Sequence, residues 1–321
     1  MDWPRRPGLI KNAENSYGDD LENVKNCYHC FTATDAENCR YSFFLPGGAK
    51  DVYDADHVGL GVELACELMS GLENNRVAFG NRIYNCHDVF YSDDCHGSEY
   101  LFGCIGMRKK SYCIFNKQYS ADEYEKTVAR IIEQMNSLPY LGAEGRIYKY
   151  GEFFPIEISP FAYNETMAHD YFPLTKEAAL KKGYKWRDAV RKTPALTKNS
   201  SDIASDIKDV PENITAEVIG CAHEGNCSHQ CAKAFKIMHQ ELKFYKAAGI
   251  PLPILCPNCR HYERMAMRNP LRLWPRQCSC QTTGHEWHSA APDCGAKFET
   301  TYTPERSEKV FCEKCYLAAV I

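Results

Sequence analysis

Apolar and polar residues alternate in short runs through the first third of the chain, as in Cys39-Arg40-Tyr41-Ser42-Phe43 and Asp88-Val89-Phe90-Tyr91-Ser92, with Gly, Asn or Asp between the runs. Alternation with a period of two predicts strands whose side chains point to opposite faces. The runs also repeat. In Glu14-Asn15-Ser16, Lys25-Asn26-Cys27, Glu37-Asn38-Cys39 and Ala49-Lys50-Asp51 the third position recurs after 11, 12 and 12 residues, and similar short strands follow around Cys66, Cys86, Ser98 and Ser111. Such a repeat predicts a parallel β-solenoid or β-helix over residues 1–119, each coil burying its inner face on the next.

The pattern then changes period. Ser120-Ala121-Asp122-Glu123 is a capping box, and Tyr124, Val128, Ile131, Ile132 and Met135 recur at helical spacing, which predicts a helix lying across the last coil. Covering that end keeps its strand edge from pairing with other chains. The helix and an irregular, proline-bearing connection occupy 120–191, with a further short helix capped by Thr175 and stopped at Gly183. Residues 192–215 turn polar and read as a linker. Beyond it, 216–321 contains a helix, His239 to Ala248, stopped by Gly249 and Pro251, and a dense run of cysteines. The expected fold class is thus mainly β with some α: a helix-capped solenoid followed by tandem zinc ribbons.

Of 18 cysteines, ten lie between Cys221 and Cys315. A zinc ribbon needs two turns, each offering two thiolates, so that four sulfurs surround one ion as a tetrahedron. Cys256-Pro257-Asn258-Cys259 and Cys312-Glu313-Lys314-Cys315 have the spacing that allows this. The first turns are less regular but end alike: Cys231 and Cys294 are each followed four residues later by a Phe, Phe235 and Phe298, able to pack under a metal. The reading assigns one zinc to Cys227, Cys231, Cys256 and Cys259, and another to Cys278, Cys294, Cys312 and Cys315. Cys221, His223, His229, Cys280, His285 and His288 stand as alternates or as ligands of a third ion. The front-half cysteines, nine or twelve residues apart, read as core residues on successive coils; only Cys27-Tyr28-His29-Cys30 has ligand spacing there.

Charge separates the two ends: residues 1–120 hold 17 acidic and 12 basic side chains, residues 216–321 hold 10 and 13. Arg260, Arg264, Arg268, Arg272 and Arg276 recur every fourth position, a candidate phosphate-contacting row with Tyr262 and Trp274 as stacking partners. The same row also fits a solvated face. No apolar run reaches the roughly 18 residues of a membrane span and the start lacks a secretion signal. A reducing, cytoplasmic setting is expected, in which 18 cysteines are metal ligands and core residues rather than disulfides. The abrupt start inside a repeat also suits a fragment of a longer protein.

Three stretches carry a resemblance: Leu101-Phe102-Gly103-Cys104-Ile105-Gly106-Met107 with Phe115 to Ser120; Gly151 to Pro155 through Phe161 to Thr166; and the cysteine pairs, with Thr301-Tyr302-Thr303-Pro304-Glu305-Arg306 before Cys312. On these the chain resembles an uncharacterised family of cysteine-repeat, zinc-ribbon proteins predicted from genomes of uncultured bacteria. The resemblance implies zinc ribbons but no activity. Many of the relatives look like they have a simple CxxC as first turn, from which the Cys/His inserts here depart.

Two classes of function follow. One is a zinc-binding structural or recognition protein whose partner is a nucleic acid or another protein. The other is a carbohydrate-active enzyme on the solenoid, using Asp54, Asp56, Asp93, Asp94, His57 or His96 for acid/base work; this rests on fold analogy, and Asp is common at turns in any case. A zinc deaminase does not fit, because Glu directly follows His223 and His285 and Leu255 precedes Cys256.

Overall fold

Between Ile10 and Gln118 the chain winds into a β-solenoid of about nine turns. The computed structural model describes residues 3–142, 145–188, 195–281 and 294–320, grouped as two compact units: residues 1–160 with 270–321, and residues 161–269.

Within the solenoid the interior repeats every third residue, not every second. Cys27, Cys30, Ala33, Ala36, Cys39, Ser42 and Leu45 are all buried. Between them His29, Thr32, Asp35, Asn38, Tyr41 and Phe44 have φ of 50–56°. Each inward residue is therefore followed by an outward one and then by a left-handed one that turns the chain. Four such triplets make a coil of twelve residues, and successive coils pair in parallel. Ala65, Val77, Val89, Leu101 and Cys113 form one twelve-residue ladder, continued to Val52 by a coil one residue longer. The extra residue of such longer coils enters where Gly47 and Gly48, and then Gly61, take positive φ.

A left-handed corner costs an L-residue roughly 1–2 kcal/mol, so the fold needs compensation at every turn. Two kinds are visible. Amide side chains join coil to coil, as in Asn15 to Asn26 (2.9 Å), Asn26 to Asn38 (3.2 Å) and Asn38 to Asp51 (3.0 Å). Elsewhere aromatic rings stack, with Phe79 4.6 Å from Tyr91 and Tyr100 4.7 Å from Tyr112 between centroids. Inside, Cys and Ser satisfy backbone groups. The thiols of Cys86, Cys95 and Cys104 each donate to the carbonyl nine residues ahead, at 3.6, 3.7 and 3.3 Å, and Ser92 Oγ accepts from the Cys104 amide at 3.1 Å.

The last coil is finished by its own chain. Lys117–Gln118 folds back antiparallel on Ser111–Ile114, and helix α1 (Ala121–Ser137) follows, its capping box closed by Ser120 and Glu123. Tyr124 is buried against Ile114 in a cluster that includes Phe79, Tyr91 and Phe102, and its ring meets those of Tyr100 and Tyr112.

In the second unit two short helices, α2 (Met167–Tyr171) and α3 (Lys176–Lys181), precede α4 (His239–Ala248) and α5 (Pro257–Ala266). Ile219–Gly220 pairs antiparallel with Ala234–Phe235. The polar stretch before it supplies Ile207, Val210 and Ile214 to a core shared with Ile219, Ile237, Leu242 and the cysteines. One apolar residue in each short turn is enough to dock a stretch whose composition is that of a linker.

The chain then returns to the first unit. Trp274–Gln277 pairs antiparallel with Lys297–Thr300, and α6 (Glu313–Val320) closes the described chain. This segment lies against the first coils. The Arg5 amide donates to Lys309 O at 2.7 Å and the Phe311 amide to Arg5 O at 3.0 Å. Arg6 pairs with Glu313, Tyr17 with Glu299, and Thr301 Oγ1 donates to Asp19 at 2.5 Å. Both ends of the solenoid are thereby covered. Among the described residues no helix is long and apolar enough to cross a membrane.

Candidate metal centres

Both CxxC pairs stand at the start of a helix. Cys256 is the N-cap of α5 and Cys259 lies in its first turn; Cys312 immediately precedes α6, which contains Cys315. The free N–H groups and dipole of a helix N-terminus favour negative charge, so the secondary structure places these sulfurs where a metal–thiolate group is stabilised.

The structure brings Cys278, Cys294, Cys312 and Cys315 together, with all four sulfurs within 4.8 Å of one another. In the second unit it brings together Cys221, Cys231, Cys256 and Cys259 in the same way. Cys227, expected as the first ligand there, is replaced by Cys221. The two groups share one plan. The Cys221 amide donates to Lys233 O and the Cys278 amide to Ala296 O, both at 2.8 Å; each acceptor lies two residues beyond the second cysteine. The Cys256 amide donates to Cys221 Sγ at 3.2 Å, and the Cys312 amide to Cys278 Sγ at 3.1 Å. Cys221 and Cys278 thus hold the same place, each directly after a short strand, with an insert looping out before the next ligand. Cys227 lies in that insert.

Four thiolates around one zinc at about 2.3 Å place their sulfurs about 3.8 Å apart. Cys221 Sγ to Cys259 Sγ is 3.8 Å and Cys294 Sγ to Cys312 Sγ is 3.8 Å. Backbone amides add further donors: Ala232 N to Cys256 Sγ at 3.4 Å and Lys233 N to Cys231 Sγ at 3.3 Å. Burial resists ionisation of Cys231, but the Lys233 amide and the neighbouring thiols outweigh it and hold that thiol down at about 7. Phe235 packs into the core around the first group and Phe298 into that around the second, as their positions in sequence suggest. The donor set, spacing and amide contacts all fit a thiophilic divalent ion. The described cysteines form no disulfides; all eighteen are free.

The remaining candidates divide. His223, Cys227 and His229 form a third group that includes Cys259. Cys280 is buried beside the group at Cys278 without being one of its four. His285 and His288 lie outside the described residues. Cys27 and Cys30 both face the solenoid interior on neighbouring sides of a coil, which is where three-residue spacing puts core residues here.

The arginine row does not run along one helix, because α5 ends at Ala266. Arg260 donates to Tyr245 Oη at 3.2 Å and lies 3.6 Å from Glu241. The Arg268 guanidinium sits 4.5 Å over the Tyr171 ring, and Arg276 donates to the carbonyls of Thr303 and Glu308. Arg264 is exposed, as is Arg272, which lies over Trp274. Three acids of the enzymatic reading, Asp56, Asp93 and Asp94, are engaged as well. Asp93 accepts from Arg82 and Asn81, Asp94 lies against Arg108 and His96, and Asp56 pairs with His57. Burial raises the Asp56 carboxyl above the usual range, against the pull of His57. A mostly apolar hollow lined by Tyr91, Met135, Leu138 and Tyr140 among others contains none of these acids.

No family model, no curated protein and no solved structure matches the chain.

Proposed function

We propose that the chain is a zinc-held recognition protein, a member of the cysteine-repeat family it resembles, working in a reducing cytoplasm. Zinc at each four-cysteine group fixes the local fold, and the solenoid is the rigid platform. The observation that carries this reading is the pair of equivalent four-thiol groups with tetrahedral sulfur spacing. Four thiolates fill a zinc ion and leave no position for water, which suits structure rather than catalysis. Nucleic acid is the partner suggested by charge, but its contact set is smaller than the full arginine row: Arg264 and Arg272 remain exposed, while the other three serve neighbouring groups.

A protein partner is the second reading. It is favoured by Tyr28, Tyr41 and Tyr53, exposed by 44, 52 and 40% on neighbouring coils, since tyrosine is enriched where proteins meet.

The test is elemental analysis of protein purified without added zinc, combined with binding to mixed single- and double-stranded nucleic acid at two salt concentrations. At least two zinc ions per chain are expected. Salt-sensitive binding that weakens for all sequences in Arg264→Ala/Arg272→Ala, with a flatter salt slope, supports nucleic acid. Zinc without such binding favours the protein partner, and fewer than two ions overturns the zinc reading.

A further inference from the structure

The insert between Cys221 and Cys231 does not simply loop away. Turn hydrogen bonds, Glu224 N to Cys221 O at 2.8 Å and Asn226 N to His223 O at 2.6 Å, fold it back on itself. As a result His223, Cys227, His229 and Cys259 offer four ligand atoms within 4.8 Å of one another. Cys259 belongs to both groups of the second unit. Its sulfur is 3.8 Å from Cys221 Sγ on one side and 3.7 Å from Cys227 Sγ on the other, the edge of a zinc–thiolate tetrahedron in either direction.

The two histidines supply an independent observation. Each buries its Nδ1 without any hydrogen-bond partner, an arrangement that costs free energy unless something occupies the nitrogen. Their rings are held ready by α5, the helix that also carries Cys259. His229 stacks on Tyr262 at 5.8 Å between centroids. His223 Nε2 lies 3.6 Å from Glu263 Oε1, the carboxylate-behind-histidine arrangement that orients an imidazole toward a metal.

We propose that His223, Cys227 and His229 bind a second divalent zinc ion beside the four-cysteine site, with the Cys259 thiolate bridging the two ions. Charge favours the pairing. Four thiolates on one divalent ion leave two excess negative charges in a buried place; a second divalent ion with the Cys227 thiolate reduces the excess to one. The coordination is closed on both ions, so the pair fastens the insert to α5 rather than activating water. This proposal rests on the zinc reading of the four-cysteine group.

The full chain is loaded with zinc and its ions are counted by native mass spectrometry, then reloaded with cadmium-113 for NMR. Three ions are expected, falling to two in His223→Ala/His229→Ala and in Cys227→Ser, the second variant guarding against a folding defect in the first. Two of the three cadmium signals are expected to be split by mutual coupling through the shared sulfur. Two ions in the wild type and in both variants would overturn the proposal while leaving the four-cysteine sites intact. Three ions with uncoupled signals would overturn the bridge, and fewer than two ions would remove the zinc reading underneath it.

Discussion

Asn38 shows what each corner of the solenoid asks of a residue. Its φ is 55°, and its amide links Asn26 on one coil to Asp51 on the next. Replacing it with Gly keeps the backbone and loses the link, which should cost about 1 kcal/mol. Replacing it with Val loses the link and adds left-handed strain, for a further 1–2 kcal/mol or so. Denaturant midpoints of Asn38→Gly and Asn38→Val measure the difference; equal loss would mean that the backbone geometry sets no demand. The same corners explain why the period was hidden in the sequence. Tyr41 and Phe44 carry large rings on the outside of the coils, while Ser42 and Cys39 point inward, so hydropathy alternates by two although burial recurs by three. Cys221 was legible as an alternate ligand but not as the first choice. It stands directly after a short strand, as Cys278 does, whereas Cys227 matched the shorter ligand spacing that ribbons usually have.

At the scale of elements, boundaries decided what the sequence could reveal. The capping box of α1 was readable because Ser120 and Glu123 act over three residues. Ser120→Ala should cost about 0.5–2 kcal/mol and raise amide exchange in the first turn of α1 while the coils between Asn75 and Ile114 keep their protection. Unchanged exchange would show that Tyr124 packing alone holds the helix start. The arginine row spans more than one element. α5 stops at Ala266 and Pro270 follows, so Arg260 and Arg264 lie on the helix while Arg272 and Arg276 belong to a different element. The two CxxC pairs, in contrast, were plain, since a single helical turn brings both sulfurs to one side.

In the first unit, the four-cysteine group far along the chain, the site proposed for zinc, is attached to the earliest coil. Arg5, Arg6, Tyr17 and Asp19 all bond to residues between Glu299 and Glu313, within or beside the segment that Cys294, Cys312 and Cys315 hold. Because thiolate binding couples metal to local folding, Cys312→Ser should release that metal and raise amide exchange severalfold over residues 9–21, with residues 75–113 unaffected. Hydrogen exchange read by mass spectrometry checks this; equal protection in both proteins would mean that the first coil stands without its cover.

The inner coils also share one register. Each pairs with the coil before and the coil after it through a twelve-residue step that is the same from Val77 to Cys113, while Phe79, Tyr91 and Phe102 on their outer face share a cluster with Tyr150, Phe154 and residues of α1. Removing or duplicating one such coil would keep the register and shift one end by about one strand spacing, roughly 4.8 Å, but it would also break that side packing. The chain is therefore a ruler with a brace: steps of twelve residues suit the register and are limited by the aromatic column that clamps the coils from outside.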